Sequence, residues 1–299
     1  VMVVQQDKDG FTFADPVVLE ALRSEPDVII SMGRGRIGKD PYGMQIGYIG
    51  RDGKKYKHIF DKVLEGDKRS RSFWSPNCTR EIFERSVAID YEALRANARV
   101  LKDTIDNGST VRVTSPAGTD VTFSIADRKG HYDDGDFRQP GQGGNLPTGE
   151  VYVSPGNGTT EGQIVFDGTV DLDRAAELPD RPVVVRFQNG YVSEVTGGTT
   201  AKKLLDLLDR SAALAREKGL RDEERNARHL GELGIGLNPK ARMSCNTLED
   251  EKVGGTVHFA IGMNLDNDAN ALIHLDCLVL QPDVFVDGRK IMDHGLLLL

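Results

Sequence analysis

The chain is short of several things, and each shortage removes a class of protein. It has three cysteines in 299 residues, Cys78, Cys245 and Cys277, without Cys-x-x-Cys spacing. Neither a disulfide framework nor a zinc ribbon fits that pattern. Aromatic residues make up only 6%, with one tryptophan, but 38% apolar content in a chain of this length still supports a real core. Positive charge is in deficit: 38 Lys and Arg against 46 Asp and Glu leave a formal net charge of −8. That balance argues against a nucleic-acid-binding surface. No run approaches the roughly 20 apolar residues of a membrane-spanning helix. The expected partner is therefore a small-molecule or peptide substrate, with no nucleic acid and no membrane. No targeting segment is visible, and the expected compartment is the cytoplasm.

What the second half does hold is a density of metal-ligand side chains in apolar surroundings. Glu150 follows Gly149 and precedes Val151-Tyr152-Val153, and Glu232 lies within Gly231-Glu232-Leu233-Gly234-Ile235. Burying a carboxylate or an imidazole among Val, Leu and Phe is costly unless it is charge-paired, hydrogen-bonded or metal-bound. Residues 271–280 read as a buried strand, and strand side chains repeat every two residues, so His274 and Asp276 point to one face. His258 lies in a second such run, with Val257, Phe259 and Ile261 opposite it. Two imidazoles and an aspartate on adjacent strands predict a divalent-metal site. Cys277 reads as a small packed apolar residue rather than a thiolate.

The fold class is α/β: an N-terminal α/β layer (1–108, shortened) followed by a strand-rich α+β metal-binding catalytic domain (109–299). In the first part, 16–22 reads as a helix and 27–31 as a buried strand. A formal Gly-x-Gly-x-x-Gly follows at 33–38, but Asp40-Pro41-Tyr42-Gly43 is a turn sequence rather than a helix start. A basic loop fits it better than a dinucleotide site. A long helix is expected over 90–105, with Asp90 as N-cap and Asn107-Gly108 at its end, and the domain boundary is placed there. Beyond it, 183–195 reads as a hairpin turning at Asn189-Gly190, and 199–218 as an amphipathic helix. His131 to Asp136 reads as a mobile loop at the mouth of the site, and Glu249-Asp250-Glu251-Lys252 as an exposed charge cluster. His58, His229 and His294 show no partner pattern and read as structural or surface residues.

In several strings of its sequence the chain resembles the thermophilic-type (aminopeptidase T-like) metallo-aminopeptidase family. The matching strings are VTSPAGTDVTF at 113–123, NLPTGEV at 145–151, LGELGIGLNP at 230–239, DEK at 250–252, HFAIG at 258–262 and IHLD at 273–276. They run in the family's order from about residue 72 onward. The resemblance implies a homodimer and two divalent metals (Zn, Co or Mn). Glu150, Glu232, Glu251, His258, His274 and Asp276 fall on its metal-ligand positions, with Glu150 and Glu232 also catalytic. A water bridging two such cations loses its proton near neutral pH and attacks a carbonyl. One departure stands out: the family's catalytic tyrosine falls on Leu265, so Tyr132, Tyr152 or Tyr191 would have to replace it from elsewhere. A related branch resembles the 2,5-dihydroxypyridine ring-cleaving dioxygenases, in which one Fe(II) would be held by His258, His274 and Asp276. That branch lacks the glutamate of the Gly-Glu-Val string, whereas this chain keeps both Glu150 and Glu232. The expected function is therefore an aminopeptidase-like hydrolase acting on an amide or N-terminal peptide bond, with the mononuclear Fe(II) dioxygenase as the alternative. A purely structural metal fits a carboxylate-rich site less well.

Overall fold

The computed structural model describes residues 2–5, 8, 12–33, 37–172 and 175–299. They form two compact units, one within 1–87 plus 135–148 and one from 88–134 plus 149–299. Among the described residues no helix is long and apolar enough to cross a membrane.

In the first unit the helix Pro16–Arg23 starts on proline, whose fixed φ suits a first turn, and buries Leu19 and Leu22 against Ile59 and Val63. A parallel sheet sets Val28–Ser31 beside Arg71–Trp74, and Arg71–Trp74 beside Gly143–Asn145. Two sequence readings change here. Val28–Ser31 is a sheet edge rather than a buried strand: Ile29 packs on the core while Val28 and Ile30 are 46% and 56% exposed. The turn expected after Asp40 is a short helix, Pro41–Gln45, whose N-cap Asp40 accepts from Gly43 N at 3.0 Å. Residues 34–36 of the basic loop lie outside the described residues.

Two antiparallel sheets build the second unit. The eight-stranded one runs Tyr191–Thr196, Val183–Gln188, Glu161–Phe166, Asp120–Ser124, Thr110–Thr114, Asp283–Val286, Arg289–Asp293, Leu296–Leu297. Its hairpin turns where Asn189 (φ 51°) and Gly190 (φ 83°) both take the left-handed backbone that a type I′ turn needs. The seven-stranded sheet runs Ala176–Glu177, Val170–Asp171, His274–Leu280, Thr256–Gly262, Leu230–Gly236, Glu150–Val153, His131–Asp133. Its central strands alternate, apart from a bulge between Leu230 and Glu232. Val151, Leu233, Ile235, Val257, Phe259, Ile261, Leu275, Cys277 and Val279 fill one face and are all buried. Phe259 meets Phe123 of the other sheet edge-on at 6.4 Å, which places the core between the sheets.

The helix Tyr91–Asp106 starts as expected, with the Asp90 carboxylate accepting from the amides of Glu92 and Ala93. It buries Leu94, Ala98, Leu101 and Ile105 and packs on the strands Glu150–Val153 and His131–Asp133. The helix thus belongs to the second unit, whereas the reading at 108 put it in the first. Residues 135–148 return to the first unit, an excursion that no single boundary along the chain describes.

Candidate metal centre

The face of the seven-stranded sheet opposite the core carries the polar cluster, and cross-strand register explains why. Leu278, His258, Gly234, Tyr152 and His131 are successive partners in one row across the strands. In the next rows Ala260 lies between Glu232 and Asp276, Gly262 is opposite His274, and Glu150 lies between Gly236 and Asp133. Glu150, Glu232, His258, His274 and Asp276 therefore each face at least one residue with little or no side chain. Gly234 is the sharpest case, since a Cβ there would lie 2.0 Å from Cε1 and Nε2 of His258. The imidazole occupies the space that glycine leaves.

The side chains converge. His258 Nε2 lies 3.2 Å from Glu232 Oε1 and 3.5 Å from Glu150 Oε2. His274 Nε2 lies 3.6 Å from Glu232 Oε2 and 3.3 Å from Asp276 Oδ1. His274 Nδ1 is 2.7 Å from the Met263 carbonyl, so Nδ1–H donates there and Nε2 is the atom turned to the carboxylates. Two groups of donor atoms, each within 4.8 Å of one another, can hold a metal ion: Glu150, Glu232 and His258, and Glu232, His274 and Asp276. Glu232 is common to both, and Glu251 is in neither.

Burial alone would lower both histidine pKa values. The hydrogen bond to Glu232 and the charges of Glu150 and Asp276 outweigh it at His258 and push it up to about 9. Asp276 and Glu232 do the same at His274, to about 10. Asp276 is held well below the usual carboxylate range, against its burial, by the charge and hydrogen bond of His274. Glu251 is pushed the other way, to about 8, by burial and by Glu150 and Asp276, with Lys252 opposing.

Sequence reasoning missed Lys252. The expected exposed cluster is instead buried, with Glu249, Asp250 and Lys252 all at 0% exposure. The Lys252 ammonium lies 2.6 Å from Glu150 Oε1, 2.5 Å from Glu251 Oε1 and 3.9 Å from Asp133 Oδ2. Glu249 takes the Ser244 hydroxyl at 2.8 Å, and Asp250 the Ser244 amide at 2.7 Å. The flanking Leu248 and Val253 were the only local hint. His131–Asp133, read as a mobile loop, is the edge strand of this sheet, and Asp133 is buried. Leu265 is 39% exposed and brings no polar atom. A further group, Asp283, Asp293 and His294, lies outside the buried cluster, and Lys290 pairs with both aspartates at 2.9 and 2.6 Å.

Of the two families that the sequence resembles, the comparisons favour one. The family model for 2,5-dihydroxypyridine 5,6-dioxygenase matches residues 78–299. The chain belongs to that family. A curated relative, the 2,5-dihydroxypyridine 5,6-dioxygenase of Pseudomonas putida, is 23% identical over 198 residues, 62% of this chain and 53% of the relative. The aligned region thus spans about half of that relative's length. The dioxygenase structure from Pseudomonas putida superposes with a TM-score of 0.72 at 15% identity, covering 99% of this chain and 80% of that one. The structure of AmpT from Thermus thermophilus superposes with a TM-score of 0.64 at 19% identity, covering 96% and 81%. At such identities these likenesses establish the fold and no more. The aminopeptidase-like hydrolase reading is overturned by the family match and by the curated relative. The retained Glu150 and Glu232 do not mark a hydrolase, because this family member keeps both and pairs Glu150 with Lys252.

Proposed function

We propose that the chain is a ring-cleaving dioxygenase acting on a dihydroxylated pyridine, with one Fe(II) held by His258, His274 and Asp276. What carries the reading is the approach of two imidazole Nε2 atoms to Glu232 from either side, with Asp276 beside His274 on the same sheet face, in a member of this family. Two histidines and one carboxylate make a common ligand set for Fe(II) enzymes that keep coordination positions open for substrate and dioxygen. The donor set also fits a cation on its own terms: among the described residues Glu150 Oε2 and Glu232 Oε2 are buried acceptors without a hydrogen bond, each facing an imidazole nitrogen at 3.5 and 3.6 Å. Buried acceptors left this way are costly, and a cation relieves the cost.

Bound Fe(II) supplies the redox chemistry that brings dioxygen into reaction with the ring. The protein's own groups do the rest. The Met263 carbonyl fixes the tautomer and orientation of His274. Lys252 holds Glu150 in place from behind through its ammonium. Glu232 lies between the two imidazoles and is the base that accepts the proton a ring hydroxyl loses on binding.

The test is oxygen uptake by anaerobically Fe(II)-loaded protein on addition of 2,5-dihydroxypyridine. Uptake that disappears on chelation and in His274→Ala is expected. Fully loaded protein that consumes no oxygen with any dihydroxypyridine would refute the proposal.

A further inference from the structure

Tyr132, Tyr152 and Tyr191 are tyrosines of the second unit that could meet a substrate, and the register separates them. Tyr132 pairs with Val151, on the core-facing side of the sheet, while its neighbours His131 and Asp133 pair with Tyr152 and Glu150 on the cluster side. Tyr191 belongs to the other sheet, its ring 5.6 Å from His229 and its hydroxyl 3.4 Å from Asn226. Tyr152 alone of the three shares the row of His258, with only Gly234 between them.

Its surroundings are those of a ligand-facing group. Glu150, Glu232 and His258 are buried, and Tyr152 keeps a partly exposed surface beside them. The His131 imidazole stacks on its ring at 5.3 Å and an interplanar angle of 19°, which fixes the ring plane. His131 Nε2 in turn lies 3.7 Å from Asp266, the residue next to Leu265. Arg128 pins that loop through Asp266 at 3.3 Å and Asp268 at 2.8 Å. Among the described residues the Tyr152 phenol makes no hydrogen bond, although the carboxylates of Glu150, Glu232 and Asp133 all act on it. A held ring with an uncommitted donor beside a metal-ligand cluster is arranged for a partner from outside the protein.

We propose that the Tyr152 phenol is the hydrogen-bond donor that orients the ring substrate, meeting an oxygen of a hydroxylated heteroaromatic ring. It is a specificity-determining residue, and its assignment rests on the function proposed above.

The experiment titrates 2,5-dihydroxypyridine into Zn(II)-loaded protein under argon, where binding proceeds without turnover, and compares wild type with Tyr152→Phe. One hydrogen bond to a hydroxyl or its anion is worth a factor of about 5 to 30 in affinity. Tyr152→Phe should weaken binding by that factor and leave the bound Zn(II) stoichiometry and its affinity unchanged. As a measurement that needs no variant, nitration of Tyr152 in the loaded wild type, mapped by peptide mass, should be suppressed by saturating dihydroxypyridine. Substrate affinity within twofold of wild type, or nitration indifferent to the ligand, would overturn the role of Tyr152 alone. A Zn(II)-loaded wild type that binds no dihydroxypyridine would instead overturn the proposed function, and this inference with it.

Discussion

Replacing Gly234 with alanine tests the arrangement at its tightest point. The new methyl carbon would lie 2.0 Å from Cε1 and Nε2 of His258 and 2.8 Å from its Nδ1, so the two cannot coexist. The obstructing atoms belong to a side chain, so the imidazole swings away while the strand pairing survives. His258 then leaves Glu232 and Glu150, now 3.2 and 3.5 Å away. Losing that charge-assisted hydrogen bond costs about 1.5–3 kcal/mol, and relieving the overlap about 1–3 kcal/mol more. Even disturbing the support of a metal ligand typically costs about 10–100-fold in metal affinity. Displacing a ligand itself should cost Gly234→Ala at least the upper end of that range, measured by chelator competition with Zn(II) or Co(II). Gly53→Ala is the control: its φ is +81° but no atom lies within 4 Å of the added carbon. It should lose about 1 kcal/mol in backbone strain with metal affinity unchanged. Metal affinity of Gly234→Ala within threefold of wild type would refute the placement of His258 in the centre.

Two further outcomes follow from the buried charges. Lys252→Met removes the ammonium and leaves Glu150 and Glu251 buried around an apolar side chain, so stability should fall by about 3–5 kcal/mol in urea. A loss under about 1 kcal/mol would show that the lysine is not their counter-charge. His229 is held down to about 4 by burial, so between pH 4 and about 6.5 the unfolded chain binds a proton that the folded one does not. Its contribution is complete above pH 6.5 and is lost as pH falls through that window, by about 1–3 kcal/mol. Asp61 and Glu251, raised to about 7 and about 8, slope the other way, so the quantity to measure is the difference between wild type and His229→Gln. An identical pH dependence for the two proteins would contradict it.

The elements legible in the sequence were those whose signal is local. Asn189-Gly190 marks its own turn, Asp90 its own helix start, and the two-residue period of residues 274–280 puts His274 and Asp276 on one face. Lys252 was illegible because its meaning depends on Glu150, 102 residues away, and a run of charges looks solvated until its partners are known. The same holds for Val28–Ser31, where an apolar run gives no sign of lying at a sheet edge. Small residues carried the unread half of the site: Gly234, Ala260 and Gly262 matter through what stands opposite them, which only cross-strand register reveals. The chemistry itself was ambiguous for a different reason. Imidazoles and carboxylates in this order serve hydrolysis and oxygen chemistry alike, and it is the family match rather than the ligand set that favours the second.

The central claim is ring cleavage by dioxygen at the centre of His258, His274 and Asp276, and isotope labelling tests it most directly. Fe(II)-loaded protein is supplied with 2,5-dihydroxypyridine under ¹⁸O-labelled dioxygen in unlabelled water, and the product is weighed by mass spectrometry. The account predicts a ring-opened product carrying both atoms of one dioxygen molecule, formed by wild type and not by His274→Ala. A product labelled only from water, or an intact ring beside enzyme shown to hold its iron, would contradict it.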